Sequence, residues 1–284
     1  MNVCRFDDDQ IGIVEGDFVV DLTGLVPREA GHEAVWLATL PKVERATLLS
    51  DRRKKPLADV HLHSPIARPG KVIAAPVNYR AHVLEMQENG QAHGHLLTDI
   101  RQAGLFLKAS SSVVGASHGI QQKFLDRRTD HEVELCVVIG QEAREVSAAD
   151  ALAHVAGYCI GIDITLRGPE DRSFRKSIDT YCVLGPWLTT TDAVPDAGNI
   201  ELELSVNGEV RQKANTADMV LGVAELIEFA SLYYSLLPGD VIMTGTPQGV
   251  GPIRPGDRLF AKATGLGGMV TRVSAAHQAQ RSRE

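Results

Sequence analysis

A chain of 284 residues, 44% hydrophobic and 23% charged, can bury one large core, or a large core beside a small companion domain. Its formal net charge of −7, with no basic run interleaved with aromatics, argues against a nucleic-acid groove. No apolar run of about 18 residues exists to span a membrane, and no secretory leader stands at MNVCRFDDDQ. The four cysteines (Cys4, Cys136, Cys159, Cys182) lack CxxC spacing, so the chain reads as a reduced, cytoplasmic protein.

Residues 1–65 read as a small N-terminal α/β domain. IGIVEGDFVVDLT carries a Glu15-Gly16-Asp17 turn between apolar segments, the pattern of a hairpin. A helix is expected over 33–49 with Trp36, Leu37, Leu40 and Val43 toward the core, and the basic cluster Asp51 to Lys55 is expected on a solvated loop. His61-Leu62-His63 alternates as a strand edge or linker, and Pro65, Pro69 and Gly70 mark a boundary.

The remainder, 66–284, is rich in short strands. KVIAAPV reads as a buried strand, NYRAHVLEMQE as a helix, and the polar stretch carrying His93 and His95 as a solvated lid. LFLKA, ELCVVIG, GYCIGIDIT, WLTTT, IELELSVNGEVRQ, DVIMTG and DRLFAKA follow as strands, with a hairpin at Asn207-Gly208. MVLGVAELIEFASLYYSLL has helical spacing up to Pro238-Gly239. The fold class is a β-dominated α+β, with a mixed roll or barrel of about 200 residues, in preference to alternating βαβ units.

The chemistry concentrates in DHEVELCVVIG. Glu132 and Glu134 project from one face of a strand, about 5–7 Å apart. Buried like charges at that spacing need a cation or protons. Asp163 ends the apolar run GYCIGID and offers a third carboxylate. Three oxygen ligands with open positions suit Mg²⁺, Mn²⁺ or Ca²⁺ better than zinc. His82 and Glu85 stand three apart on a helix, an arrangement in which a carboxylate raises imidazole basicity for general-base work. Lys176 is a candidate for stabilising an enolate, and the loop TGTPQGVG, with Thr244 and Thr246, offers backbone N–H groups for a carboxylate.

These blocks together resemble the fumarylacetoacetate hydrolase superfamily, from about Lys71 to Phe260. The resemblance is carried by NYxxHxxE (Asn78 to Glu85), FLKASSSVVG (Phe106 to Gly115), ExEL (Glu132 to Leu135), GIDIT (Gly161 to Thr165), KSIDTYCVLGPW (Lys176 to Trp187), VNGEVRQ and LLPGDVIMTGTPQGVG. It implies a catalytic β-roll, usually dimeric, with Mg²⁺ or Mn²⁺ held by Glu132, Glu134 and Asp163. It also implies a His82–Glu85 dyad on a lid, Lys176 as active-site lysine, and substrate contacts from Tyr79, Arg167, Glu170 and Thr246. Substrates of such enzymes are 2-oxo acids or their enols.

The chain departs from the family pattern T-x-R-D-x-Q, reading Thr165-Leu166-Arg167-Gly168-Pro169-Glu170. Glu170 is expected to add negative charge beside an anionic substrate. The expected activity is hydrolysis of a C–C bond in a 2,4-dioxo acid, with pyruvate enolate as leaving group. The alternatives are decarboxylation or isomerisation of an oxo-dicarboxylate in aromatic catabolism, and a catalytically inert binding protein on the same scaffold.

Overall fold

The computed structural model describes residues 1–27, 31–49, 52–81 and 100–276, and these build three sheets. The largest has eleven strands. Its N-terminal wing is β1 (Asn2–Phe6), β2 (Gln10–Glu15), β3 (Phe18–Asp21) and β4 (Lys54–Pro56). The rest is β5 (Val72–Ala74), β6 (Phe106–Lys108), β7 (Val113–Gly115), β10 (Val133–Ile139), β11 (Val155–Asp163), β13 (Cys182–Thr190) and β16 (Val241–Met243). The spatial order is β4-β3-β2-β1-β13-β11-β10-β16-β5-β6, with β7 also on β13. A five-stranded sheet joins β8 (Ile120–Gln122), β14 (Glu201–Val206), β15 (Glu209–Asn215), β18 (Arg258–Ala263) and β19 (Gly267–Ala275). A small sheet joins β9 (Thr129–His131), β12 (Thr165–Leu166) and β17 (Gly251–Pro252). The pairing β16–β5, β13–β7 and β19–β8 is parallel and the rest antiparallel, so the strand-rich, mixed architecture expected from the sequence is the one observed.

Strand β10 is buried along its whole length because both faces are covered, which explains its unbroken apolar run. Val133, Leu135, Val137 and Ile139 belong to the core with Leu202, Leu204, Leu226 and Ile227. Cys136 and Val138 face the other core, with Val35 and Leu37 from the helix Glu33–Thr39 and with Leu184 and Leu188. The N-terminal segment therefore shares a sheet and a core with the main body. It enters through β1, whose Asn2 and Val3 pair with Thr189 and Leu188 of β13.

Both predicted hairpins form. Glu15 pairs with Phe18 around Gly16-Asp17, and Val206 with Glu209 around Asn207-Gly208. Asn207 and Gly208 both have positive φ (53° and 88°), the type I′ geometry that matches strand twist.

Three local expectations need correction. The helix over 33–49 is two helices, Glu33–Thr39 and Lys42–Leu49, because Leu40 turns extended ahead of Pro41. Val43 is consequently 80% exposed and lies outside the core. The helix ahead of Pro238 spans only Val223–Ser231; beyond it, Leu236 takes up a β-bridge with Ala143, which a helical segment could not offer. Lys54 and Lys55 of the basic cluster lie in the edge strand β4, where they pair with Glu15 and Asp7. The His61–His63 segment lies along β1, through a Phe6–Leu62 bridge and a His63 N–H donated to the Arg5 carbonyl. All four cysteines are buried and unpaired, and burial pushes the Cys4 and Cys182 thiols up to about 12. Among the described residues no helix is long and apolar enough to cross a membrane.

Candidate metal centre and active site

The acidic cluster follows from strand register. In the β10–β11 pair, Val133 stands opposite Ile162 and Glu134 opposite Gly161. One step further, Asp163 donates its N–H to the Glu132 carbonyl at 2.8 Å. Alternation puts Glu132 and Glu134 on one face, and the register brings Asp163 beside them. A Cβ on Gly161 would fall on Cys136 Sγ and Met243 Cε, so the position opposite Glu134 is closely packed. The result is three carboxylates with one oxygen each within 4.8 Å of the others, all buried.

Cations and donors arrive from separate elements. Lys176, at the end of the helix Arg172–Lys176, donates to Glu132 Oε2 at 2.7 Å, Asp163 Oδ2 at 2.5 Å and Thr165 Oγ1 at 2.7 Å. Lys108, at the end of β6, is ion-paired with Asp163 Oδ1 and also donates to the carbonyls of Lys176 and Tyr181 at 2.5 and 3.0 Å. Arg167 donates to Asp130 Oδ2 at 2.6 Å and Glu132 Oε1 at 3.2 Å, and Thr165 Oγ1 to Glu132 Oε1 at 2.9 Å.

Glu134 receives less help. Gly245 N–H donates to its Oε2 at 2.7 Å. Burial raises the Glu134 carboxyl well above the usual carboxylate range; Asp163 and Glu132 raise it further, and Lys176 and the Gly245 N–H only partly offset them. Burial opposes the charge of Lys176, yet Asp163 and Glu132 hold its ammonium above the ordinary lysine value. The cluster thus has an uncompensated demand for positive charge at Glu134, and its donors are hard oxygens. Such a set suits a Mg²⁺- or Mn²⁺-like ion.

Gly245 can donate there because of its backbone. Its φ is +96°, and a Cβ would stand 2.8 Å from Asn78 Cβ. Asn78 locks this loop: its amide donates to the carbonyls of Thr244 and Leu221 and accepts from Leu221 N–H. The TGTP loop does hold a carboxylate, as its N–H groups suggested, but that carboxylate is the protein's own Glu134.

The remaining sequence-predicted residues fall in different places. His82 and Glu85, like His93 and His95, lie outside the described residues. Tyr79 is buried, its hydroxyl has no hydrogen-bond partner among the described residues, and burial followed by the Glu134 charge pushes its ionisation upward. Thr246 donates to the Val133 carbonyl and accepts from Gln212 Nε2, so its hydroxyl is occupied inside the protein.

Glu170 departs from its expected electrostatic role. Arg127 grips it in a bidentate pair at 2.9 and 2.7 Å, which neutralises it. A Cβ on Gly168 would fall on Arg127 Nη2 and Glu170 Oε2. The two departures from T-x-R-D-x-Q are therefore one feature: Gly168 leaves the space in which Glu170 meets Arg127.

The residues that sequence reasoning did not single out are Lys108, Thr165, Asp130 and Arg172. Lys108 had a signal, a lysine inside the apolar run LFLKA. The Arg172 guanidinium stands 5.6 Å from the Phe106 ring centroid, and burial, then Arg175, pushes it below the usual arginine value.

Comparison with known proteins agrees with this geometry. The profile described as "Fumarylacetoacetate (FAA) hydrolase C-terminal" matches residues 71–274. The chain is 48% identical over 280 residues to a maleylpyruvate hydrolase of Aquipseudomonas alcaligenes, covering 95% of this chain and 98% of that one. It is 34% identical over 275 residues to a mitochondrial oxaloacetate tautomerase of Bos taurus, covering 91% of this chain and 84% of the relative. A crystal structure of maleylpyruvate hydrolase from Sphingobium sp. SYK-6, in complex with manganese(II) and pyruvate, superposes with a TM-score of 0.85 at 36% identity, covering 98% of this chain and 100% of that one. The three-carboxylate centre, the strand order around it and the match over most of the chain converge: this protein belongs to the fumarylacetoacetate hydrolase family.

Proposed function

We propose that the protein is a divalent-metal-dependent hydrolase that cleaves the C3–C4 bond of a 2,4-dioxo acid of the acylpyruvate type, a reading supported by its likeness to proteins named maleylpyruvate hydrolase. The observation that carries this reading is the buried Glu132–Glu134–Asp163 cluster with Lys176 inserted into it. Mg²⁺ or Mn²⁺ bound there would act as a Lewis acid toward the carboxylate and 2-oxo oxygens of the substrate. Lys176 adds a fixed positive charge beside the developing enolate, and the Gly245 N–H keeps Glu134 aimed inward.

In this reading His82, paired with Glu85, takes a proton from water as its oxygen adds to C4. The C3–C4 bond breaks, C3 leaves as the pyruvate enolate and is then protonated, and the acyl half departs as a carboxylic acid. The enzyme is expected to work as a cytoplasmic homodimer, which light scattering of the purified protein tests.

The assay is pyruvate release from an acylpyruvate with Mn²⁺ or Mg²⁺, run beside CO₂ release from oxaloacetate. Pyruvate from the acylpyruvate supports the hydrolase; CO₂ alone would give the site to decarboxylation. His82→Ala should lower acylpyruvate hydrolysis by about 10²-fold or more, the usual worth of a general base, and oxaloacetate decarboxylation far less. Equal losses on both substrates would remove water activation as its role.

A further inference from the structure

Among the described residues five arginines stand around the acidic centre, and four of them already hold an acceptor of the protein itself. Arg127 holds Glu170 and the Arg167 carbonyl, and Arg128 holds Asp130. Arg167 bridges Asp130 and Glu132, and Arg175 donates to the carbonyls of Glu170 and Leu166. The fifth, Arg172, makes no hydrogen bond or ion pair among the described residues.

Its position is fixed all the same. Arg172 and Lys176 are four apart on one short helix and so share a face. Both approach the same ring, with Arg172 Cζ 5.6 Å and Lys176 Nζ 5.5 Å from the centroid of Phe106. The two cations are therefore at most twice that distance apart, and the ring that carries them is only 7% exposed. Lys176 reaches into the carboxylate cluster, whereas Arg172 stops beside it with its planar donors free. A guanidinium on an aromatic face, half withdrawn from water, is a receptor for a carboxylate presented edge-on.

We propose that Arg172 receives the second, distal carboxylate of a dicarboxylic 2,4-dioxo acid and so selects diacids over acylpyruvates with an apolar tail. The inference rests on the hydrolase reading for the identity of the substrate head, but not for the anion seat itself. The neutralisation of Glu170 by Arg127 supports it, since no free negative charge is left there to repel such a tail.

Calorimetry on the Mn²⁺-loaded enzyme tests the seat without turnover, using 2-oxoheptanedioate and 2-oxoheptanoate, which differ only in a terminal carboxylate replaced by methyl. The unsubstituted enzyme should bind the diacid tighter by about 30-fold or more, the loss typical when one partner of a buried charge pair is removed. Arg172→Gln should erase that preference while leaving the monoacid affinity and the melting temperature unchanged, and Arg172→Lys should restore part of it. A diacid preference that survives Arg172→Gln, or an equal loss for both acids, would overturn the proposal. Pyruvate release from maleylpyruvate and acetylpyruvate is read separately. Silence on both substrates, with the diacid preference still tracking Arg172, would defeat the hydrolase reading and leave the anion seat standing.

Discussion

Glu134 is where the electrostatics of the centre are least balanced. Its carboxyl is held above the usual range, so the metal-free folded protein keeps a proton that the unfolded chain has lost. The sign follows: metal-free stability is greatest below the ordinary glutamate value and declines as pH rises from there toward the raised value. An incoming dication must expel that proton, so metal affinity should climb with pH across the same window. Titration calorimetry with Mn²⁺ at several pH values, in buffers of different ionisation enthalpy, should show about one proton released per ion. Glu134→Ala should abolish ion binding, and unchanged affinity would remove the centre. Lys108→Met should destabilise the fold by about 3–5 kcal/mol in urea unfolding, because it leaves Asp163 short of a buried partner. The three acids were legible only together: i, i+2 acids in an apolar strand also fit a half-exposed edge, and Asp163 alone fits an ordinary strand end, so the motifs around them carried the reading. Lys108 and Arg172 were not, because a single cation in a short element gains its meaning from partners far along the chain.

At the scale of elements, the Arg167–Glu170 turn shows how two odd residues can be one adaptation. Gly168→Ala should push Arg127 off Glu170 and lower the urea midpoint only slightly, with ion affinity unchanged, since the pair stays open to water. Local chemistry made both hairpins readable, because Gly16 and Asn207-Gly208 specify their turns without help from the rest of the fold. The long helix over 33–49 should also have been broken on sequence grounds, since Pro41 cannot continue it. The early end of the helix Val223–Ser231 had no such signal: it is set by the Leu236–Ala143 bridge, a contact across the fold that periodicity cannot contain.

At the scale of the whole molecule, the N-terminal segment is stitched to the main body around Asp192, just beyond β13. Arg45 and Lys42 from the helix Lys42–Leu49 approach its carboxylate at 3.3 and 3.4 Å, and the chain's amino terminus donates to Thr190 Oγ1 at 2.9 Å. Burial opposes the Asp192 charge, but the Thr190 hydroxyl and Arg45 hold the carboxyl down at about 2. A depressed carboxylate stabilises above its unfolded value of 3.8 and loses that contribution as pH falls through about 2. Asp192→Asn should therefore flatten the acid limb of the stability profile between those values, as read by melting temperature. The join at β1–β13 has a further consequence. Cutting the chain at Lys71, where the family profile begins, would strip β13 of its β1 neighbour and leave raw backbone along that margin. Such a fragment should polymerise edge to edge, which light scattering would read, making the residues ahead of the cut a built-in guard against self-templating.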